Sequence, residues 1–581
     1  MLLQSALTAT ISSAIDSFLQ DQRDGNLAMN RSIFHFYKFW IACVLLVIVA
    51  GGRSTQAQQA DKTITGLTVL SPEEFHPYIE RFRIQEQEAT GKLGDDSWPW
   101  MLAQIPWFAS SNKQFEEMYY FRWYAWQKHL VMTRHGHLIT EWLPKPEMPD
   151  GNFGALPDAA AFHMDEARWL RDKSIAEDYA SYWLSYGADP RKYSFWAASA
   201  VLNISLANGD QPFSAALLPS LKDNYHAWEK SNQDSNGLFW SIDTRDAMEK
   251  SISGDGYRPT LNSYIFGDAV AISKMAAESG DTPTADEFSA KAAAIRSLIE
   301  NKLWNPKDNF YEVMSPGKDS GIRTQKRFID PGTMLTLSGV RELNGYIPWQ
   351  FDEPPPDHAV AWKQLFDPSG FAAKYGPLTA ERRSLRFRFA SNDQCTWNGP
   401  SWPFATTQTL LALANLLNSQ KQPYVSNEDY YHLFSEYVLS QHRTLANGDV
   451  IPWIDEDLDG DTDEWIAKDM LIAKKSPQVG RGNYYNHSGF ADPLITGLIG
   501  LRPRDDNRVV IRPLLPDGEW SWFAIDGLPY HGHLLSILYD ATGKQFRRGR
   551  GLILLVDGKI VVSRPSLGPL EYRLSVEKHG K

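Results

Sequence analysis

The chain has 581 residues, a formal net charge of −12 and a pI near 5.7, so we expect no nucleic-acid partner, which would require a basic face. Hydrophobic residues make up 43% and charged residues 22%, which is typical of a folded protein and argues against disorder. The aromatic content is high, with 21 Trp. Core packing and sugar recognition both use such residues, because flat rings stack on the apolar faces of pyranose rings.

The start of the chain is predicted to be an export segment covering residues 1–59. Basic residues precede an apolar run at 39–50, and small residues at 54–57 offer a cleavage site, so a signal peptide is predicted at 29–57. The apolar run is too short to span a bilayer comfortably, although an N-terminal membrane anchor is the alternative. We therefore expect a periplasmic or secreted protein with no stable membrane span in the mature chain.

Helical patterns dominate residues 65–505, which are predicted to form one large α-helical domain. A capping box at 284–287 is followed by apolar residues at helical spacing, and 263–278 repeats the pattern. The joining loops are rich in Gly, Pro, Trp and Asp, and such loops usually carry functional sites. The segment 315–395 has no clean period, and its role cannot be assigned from sequence.

The composition changes near residue 505, where β-rich patterns begin. Short apolar runs at 509–511, 534–538, 552–556 and 560–562 are separated or ended by Asp-Gly turn signals. Residues 506–581 are therefore predicted to form a small, antiparallel, β-sandwich-like domain.

An acidic loop at 455–464, read DEDLDGDTDE, is the most unusual local feature. Its opening matches D-x-D-x-D-G of a calcium loop, but the twelfth position is Ile466 where a bidentate Glu is needed. Three interpretations stay open: a solvated loop, a catalytic carboxylate, or a calcium site formed by Asp455, Asp457, Asp459 and Asp461. Cys/His zinc spacing is absent from the sequence, and no organic cofactor is implied.

Three further segments carry residues suited to chemistry. Asp246 and Glu249 lie in a loop just before a predicted helix, although helix-entry loops are often acidic for structural reasons. Residues 397–402, read WNGPSW, form either a rigid turn or one wall of an aromatic pocket. His487, within the aromatic stretch 481–490, is either a proton carrier or a histidine held by hydrogen bonds.

Together these segments resemble motifs of the inverting glycosidases with an (α/α)6 barrel, namely glycoside hydrolase family 63, trehalases and bacterial mannosylglycerate hydrolases. Residues 247–251, AMEKS, lie where those families have G-[ML]-D-N-S. The resemblance implies that Glu249 is the general acid, with Asp246 as the competitor. Residues 456–464, EDLDGDTDE, are similar to E-x-x-D-P-x-T-G-E, which implies that Glu456 is the general base.

The resemblance covers roughly residues 110–505 and carries further implications. The fold would be mainly α, an (α/α)6 barrel or six-hairpin toroid, followed by the small β domain. The WNGPSW segment resembles R-G-P-x-W, with Asn398 in place of Arg. Substrate-binding candidates are Arg122, Trp123, Trp169, Asp172, Trp397, Asn398, Trp402 and His487. The expected activity is that of an exported glycoside hydrolase, glucosidase-like or mannosidase-like, acting on an α-linked oligosaccharide or glycoside.

Inverting hydrolysis places specific demands on the two carboxyls. A protonated carboxyl and a carboxylate flank the scissile bond, roughly 6.5–9.5 Å apart, so that a water fits beside the anomeric carbon. The acid needs an apolar or anionic setting that keeps it protonated, whereas the base belongs among water and hydrogen-bond donors.

Two rival functions remain. A polysaccharide lyase on a similar toroid would use His487 with Tyr484 or Tyr485 as its active pair and would require uronic acids. A non-catalytic carbohydrate-binding protein would use the aromatic residues without the carboxyl chemistry. The sequence does not identify the sugar, the linkage or the oligomeric state.

Overall fold

A computed structural model describes residues 67–143, 155–186, 188–316, 332–390 and 394–575. The predicted export segment at 1–59 lies outside these residues. Residues from 66 onward form one compact unit, and the predicted domain boundary near 505 stays a prediction. Among the described helices, none is long and apolar enough to cross a membrane.

The α-helices are labelled in chain order. They are α1 His76–Thr90, α2 Trp98–Gln104, α3 Lys113–Gln127, α4 Ala160–Ala167, α5 Ser174–Ser185, α6 Ala197–Asn208, α7 Gln211–Asn232, α8 Pro259–Ser279, α9 Thr282–Lys302, α10 Ile347–Gln350, α11 Pro403–Ser419, α12 Asn427–Ser440, α13 Ile466–Ala473 and α14 Ala491–Pro493. A π-helical segment, Leu494–Ile499, continues α14. Short 3-10 helices lie at Pro72–Glu74, Asp243–Asp246, Leu343–Tyr346 and Pro356–Gln364.

The strands are mostly short. They are β1 Trp107–Ser110, β2 Leu130–Thr133, β3 Gly136–Ile139, β4 Trp240–Ser241, β5 Gly256–Tyr257, β6 Trp304–Asn305, β7 Phe310–Tyr311, β8 Met314–Ser315, β9 Thr336–Leu337, β10 His442–Thr444, β11 Val450–Pro452, β12 Arg508–Ile511, β13 Trp522–Tyr530, β14 His533–Asp540, β15 Gly551–Val556, β16 Lys559–Arg564 and β17 Leu570–Arg573.

Six helices form a closed circuit of neighbours. Each helix contacts the next in the order α4, α6, α8, α10, α11 and α14, and α14 contacts α4. Outside this ring, α5 packs against α4, α7 against α6, α9 against α8, and α12 against α11. Helix α10 lies within residues 315–395, the segment whose role could not be assigned from the sequence. The predicted mainly α fold, an (α/α)6 barrel with an antiparallel β region at its C-terminal end, is confirmed.

Ring helices and outer helices differ in how many of their residues are buried, and this difference accounts for the distribution of apolar residues in each. Almost every residue of α8 from Pro259 to Met275 is buried, because the helix packs on several neighbours at once. In α9 the buried residues form one stripe, as predicted from the helical spacing. The helix begins earlier than the predicted capping box, since Asp281 is the N-cap and its carboxylate accepts a bond from the Thr284 amide.

The five-stranded antiparallel sheet joins an early strand of the chain to strands near residue 530 and beyond. Its order is β1-β13-β14-β15-β16, so a strand at Trp107–Ser110 pairs with β13 over four hundred residues later. Alternate side chains point to opposite faces of the sheet. Ile525 and Ile537 join the main core, whereas Ala524 and Leu538 belong to a second apolar cluster with Val69 and Leu70 packed against it.

Candidate active site

The predicted catalytic motifs meet beside the N-terminal ends of the ring helices. The Trp397 amide donates to the Glu249 carbonyl at 3.0 Å, which ties the first acidic loop to the WNGPSW segment. Ser401 and Leu458 exchange both of their backbone hydrogen bonds, at 2.9 and 3.0 Å, which ties that segment to the acidic loop. The three loops therefore form one hydrogen-bonded assembly before α8 and α11.

An aromatic wall extends across this assembly. The rings of Trp397 and Trp402 stack with centroids 4.8 Å apart, and Trp402 meets His487 edge-on at 5.9 Å. Tyr485 lies 4.2 Å from the His487 ring and contacts Trp142 at 5.4 Å. These rings are of the type that stacks on sugar rings, and the predicted role of Trp397 and Trp402 in substrate binding stays a prediction.

Glu249 lies in a strained loop and carries the properties of a general acid. Ala247 and Lys250, on either side, adopt left-handed backbone conformations with φ of 55° and 59°. Met248 is buried beside Arg258, and the adjacent Glu249 side chain accepts a bond from the Cys395 thiol at 3.2 Å. Burial raises the pKa of Glu249 to about 7, so its carboxyl holds a proton near neutral pH.

Asp246 is bound by the protein and is a poorer proton donor. Its Oδ1 accepts bonds from the Ser194 and Ser241 hydroxyls at 2.7 and 2.9 Å, and Oδ2 accepts from Arg258 Nε at 2.7 Å. Both side chains of the ion pair are fully buried. Because both oxygens are occupied, the geometry favours Glu249 over Asp246 as the acid.

Glu456 lies in a different electrostatic setting. Arg481 donates to its Oε1 through Nε at 2.8 Å and through a second guanidinium nitrogen, and the guanidinium also covers the Trp142 ring. Burial raises the pKa of Glu456, and the Arg481 charge opposes that shift. Close approach of the Arg481 loop requires Gly482, because a Cβ there would lie 1.8 Å from Asp455 Oδ1.

Glu249 and Glu456 share neighbours. The charges of both raise the pKa of the Cys395 thiol, after the larger effect of burial. The charge of Glu456 also raises the pKa of Glu141, and the charge of Asp158 raises the pKa of Glu249. The separation of roughly 6.5–9.5 Å required for an inverting pair stays a prediction.

The remaining carboxylates of the acidic loop are held mainly by the protein's own cations. Asp455 lies 3.7 Å from Lys468, Asp459 pairs with Arg388 at 2.6 Å, and Asp461 pairs with Arg382 at 2.6 Å. Asp457 instead accepts a bond from the Ala467 amide near the start of α13, at 3.2 Å. Three carboxylates of the loop thus have a cation of the protein as a partner, and a calcium site there stays a prediction. Within the described ranges, no cluster of three or more His, Cys, Asp or Glu is arranged to hold a metal ion.

His487 is placed in the site but is not suited to carry a proton. Its Nδ1 lies 3.3 Å from the Tyr485 carbonyl, and the ring is buried against Trp402. Burial lowers the pKa of His487 to about 3, so the ring is neutral at physiological pH. Asn398 is fully buried nearby, and both polar atoms of its side chain lack a partner among the described residues.

Four predicted substrate-binding residues have the contacts of structural residues, which do not support a pocket role. Arg122, in α3, donates hydrogen bonds to the Tyr437 hydroxyl of α12, to the Gln441 side chain and to the Ser488 carbonyl. The others are Trp123, packed in the core among Tyr119, Trp100 and Trp126; Trp169, bonded to Asp492; and Asp172, bonded to the Ser174 amide at the surface. Arg122 and Trp123 belong to α3, whereas Trp169 and Asp172 lie in the connection between α4 and α5.

Sequence reasoning missed Glu141, Asp158, Arg481 and Cys395 as members of the site. They lie near the site but come from distant parts of the chain, and none carries a local motif. One signal was available for Arg481, since it opens the aromatic stretch that contains His487. For Glu141 and Asp158 the sequence offers no comparable pattern.

Comparison with known proteins identifies the family of this chain. Residues 153–488 match the Mannosylglycerate hydrolase MGH1-like glycoside hydrolase domain. The chain belongs to the MGH1-like glycoside hydrolase family. Residues 501–562 of this family member match the Glycosyl hydrolase family 65, C-terminal domain. The predicted resemblance to (α/α)6-barrel glycosidases is therefore confirmed, and a glycoside hydrolase domain implies a carbohydrate substrate.

Solved structures resemble the chain to different degrees. A protein named Sialidase shares 37% identity with a TM-score of 0.78, over 87% of this chain and 45% of that one, so this chain spans less than half of its length. The GH63 mannosylglycerate hydrolase from Thermus thermophilus in complex with glucose shares 12% identity, over 58% of this chain and 91% of that one, with a TM-score of 0.40. The GH78 family rhamnosidase of a Bacillus species shares 12% identity, over 78% of this chain and 42% of that one, with a TM-score of 0.47.

Proposed function

We propose that this MGH1-like protein hydrolyses a glycosidic bond with inversion, using Glu249 as general acid and Glu456 as general base. The observation that carries the proposal is the contrast between the half-buried Glu249 and the buried Glu456, which share neighbours in one assembly of loops. Glu249 accepts the weak Cys395 thiol bond, and burial raises its pKa to about 7, which favours the protonated form relative to a free glutamate. Glu456 is paired with Arg481, whose charge favours the carboxylate.

The reaction requires two proton transfers that this pair can perform. Glu249 gives its proton to the glycosidic oxygen as the bond to the anomeric carbon breaks. Glu456 takes a proton from a water that attacks the anomeric carbon from the opposite face. The products are an alcohol and a sugar of inverted anomeric configuration, with Glu249 ionised and Glu456 protonated. Exchange of protons with solvent restores both groups.

The proposed substrate is an α-linked oligosaccharide or glycoside, and the proposed location is outside the cytoplasm. The substrate class rests on the motif resemblance and on the family description, which names a mannosylglycerate hydrolase. The aromatic side chains from Trp397 to Trp142 do not distinguish a gluco from a manno configuration. Export rests on the charge and hydropathy pattern of residues 29–57 alone.

Proton NMR of the first product released from α-linked oligosaccharides and aryl α-glycosides tests the function. We expect the β-anomer to appear first and then mutarotate. Release of the α-anomer first would contradict the assignment of Glu456 as a base. An unsaturated uronide, detected by its absorbance, would indicate the lyase, and binding with no turnover across the panel would indicate a carbohydrate-binding protein.

A further inference from the structure

The basic loop, residues 541–550 between β14 and β15, carries a charge opposite to that of the whole protein. Its sequence, ATGKQFRRGR, contains four basic residues and no acidic residue, in a chain whose formal net charge is −12. All four basic residues are exposed, namely Lys544, Arg547, Arg548 and Arg550. A positive patch on an acidic protein attracts anions to one place, while the rest of the surface repels them.

The protein leaves the charges of the basic loop without carboxylate partners. In the described part of the chain none of the four cations forms an ion pair, whereas Arg508, in β12, pairs with Asp506 and Glu571. Asp540 directly precedes the loop, but its two oxygens accept hydrogen bonds from four backbone amides at 542–546. The carboxylate of Asp540 therefore shapes the loop, and the four positive charges face a partner outside the described chain.

The inner side of the basic loop is anchored to the sheet. Phe546 packs against the second apolar cluster, and its ring meets Trp522 edge-on with centroids 5.7 Å apart. Arg548 Nη2 donates a hydrogen bond to the Thr68 carbonyl at 2.9 Å. Together with the bonds to Asp540, these contacts reduce the conformational entropy that the loop would lose on binding.

The residue types of the loop favour a partner that carries carboxylates. Three of the four cations are arginines, whose planar guanidinium binds a carboxylate or a phosphate through two parallel hydrogen bonds. An anionic membrane would offer phosphates, but segments that bind a membrane surface also present apolar side chains to it. The one large apolar side chain of the basic loop, Phe546, instead packs inward on the second apolar cluster.

A polysaccharide is the macromolecule that fits both the loop and the family. The chain belongs to a family of glycoside hydrolases, which act on carbohydrates. A carboxylated polysaccharide repeats its carboxylates along one chain, so several cations of the loop can bind it at once, and the second contact is then intramolecular.

We propose that the basic loop is a docking surface for a carboxylated polysaccharide, which Lys544, Arg547 and Arg550 bind through its carboxylates. The surface would hold the protein on such a polysaccharide whether or not that polysaccharide is cleaved. The inference goes beyond the proposed hydrolysis and does not depend on it, since the binding requires neither Glu249 nor Glu456.

Surface plasmon resonance of the full chain on immobilised polygalacturonate tests the inference. We expect saturable binding that weakens at least about tenfold between about 0.05 and 0.5 M NaCl, because added salt screens the charges. A triple variant, Lys544→Gln with Arg547→Gln and Arg550→Gln, should lower the affinity at low salt at least about tenfold. It retains the hydrogen bond from Arg548 to Thr68, so the anchor of the loop is kept.

A matched control removes three charges from other exposed positions. It carries Lys92→Gln, Lys307→Gln and Lys421→Gln, which change the net charge by the same amount. The control should bind polygalacturonate within about twofold of the parent, because these lysines lie outside the basic loop. Both triple variants should melt like the parent, since the six side chains are exposed.

Each other result overturns the proposal. Absence of binding by the parent at low salt, or equal losses in the loop variant and the control, would contradict docking by the basic loop. Equal binding to dextran, a neutral polymer, would contradict the requirement for charge. Tighter binding to dextran sulfate or to phosphatidylglycerol vesicles, lost in the loop variant, would assign the surface to a different anion. A lower melting temperature confined to the loop variant would show that these cations stabilise the fold instead of facing a partner.

Discussion

Glu249 is a half-buried acid in a strained loop and Glu456 a buried acid in a crowded loop, and the charges that surround them differ in sign. Glu249 accepts a bond from a thiol and feels the negative charges of Asp158 and Asp243. Glu456 accepts two bonds from Arg481. Burial raises the pKa of each, and only Glu456 has a cation that directly opposes the rise. The two environments therefore separate the protonation states, which is how one enzyme obtains an acid and a base from chemically identical groups.

The largest expected effect is loss of the base. Glu456→Gln keeps the size of the side chain but cannot take a proton from water, so kcat/KM should fall about 10⁴-fold, or ~5.4 kcal/mol in barrier. The loss should be the same for substrates with good and poor leaving groups, because water attack is impaired in both. Steady-state assays on both substrate types would measure it, and a loss of less than tenfold would remove Glu456 from the mechanism.

Loss of the acid should depend on the leaving group. Glu249→Gln should lower kcat/KM about 10³-fold for an alkyl glycoside, whose leaving oxygen needs a proton. For a dinitrophenyl glycoside the loss should be less than about tenfold, since that leaving group departs as an anion. Equal losses on the two substrates would show that the acid is another residue.

Asp246→Asn is the comparison that distinguishes the two acidic candidates. Asp246 pairs with Arg258, and both side chains are fully buried, so removing the charge deprives a buried guanidinium of its ion-pair partner. We expect about 3–5 kcal/mol of destabilisation, read from denaturant unfolding. Any loss of activity should be independent of the leaving group. A leaving-group dependence like that expected of Glu249→Gln, at unchanged stability, would transfer the acid role to Asp246.

The pH profile should reflect the same difference in environment. Glu249 must be protonated to act, and burial raises its pKa to about 7, so kcat/KM should decline tenfold per unit above that pH. Glu456 must be ionised, so activity should also fall at acid pH. In Glu249→Gln with the dinitrophenyl substrate, the alkaline decline should disappear while the acid decline persists. An alkaline limb that survives in this variant would belong to a different group.

Local motifs could be predicted from the sequence because each is read from adjacent residues. The loops around Glu249 and Glu456 follow known spacing, and the helical stripe of α9 is periodic. The pairing of β1 with β13, and the meeting of Glu141 with Asp158 across an intervening segment, depend on the closure of the fold and leave no local pattern. The partners of the acidic loop, Lys468, Arg388 and Arg382, also come from outside the loop and could not be read from its own residues.

The smallest expected effect comes from the outer end of the acidic loop. Asp461 is about half exposed and pairs with Arg382, itself partly exposed, so solvent screens the interaction. Asp461→Asn should change the free energy of unfolding by less than about 1 kcal/mol and should leave kcat/KM unchanged. Addition of calcium should not alter the melting temperature of either form, because the oxygens of Asp461 are bonded to the guanidinium. A calcium-dependent rise in melting temperature that the variant loses would show that the loop exchanges its arginine partner for a metal ion, and the carboxylates near Glu456 would then be tuned by that ion.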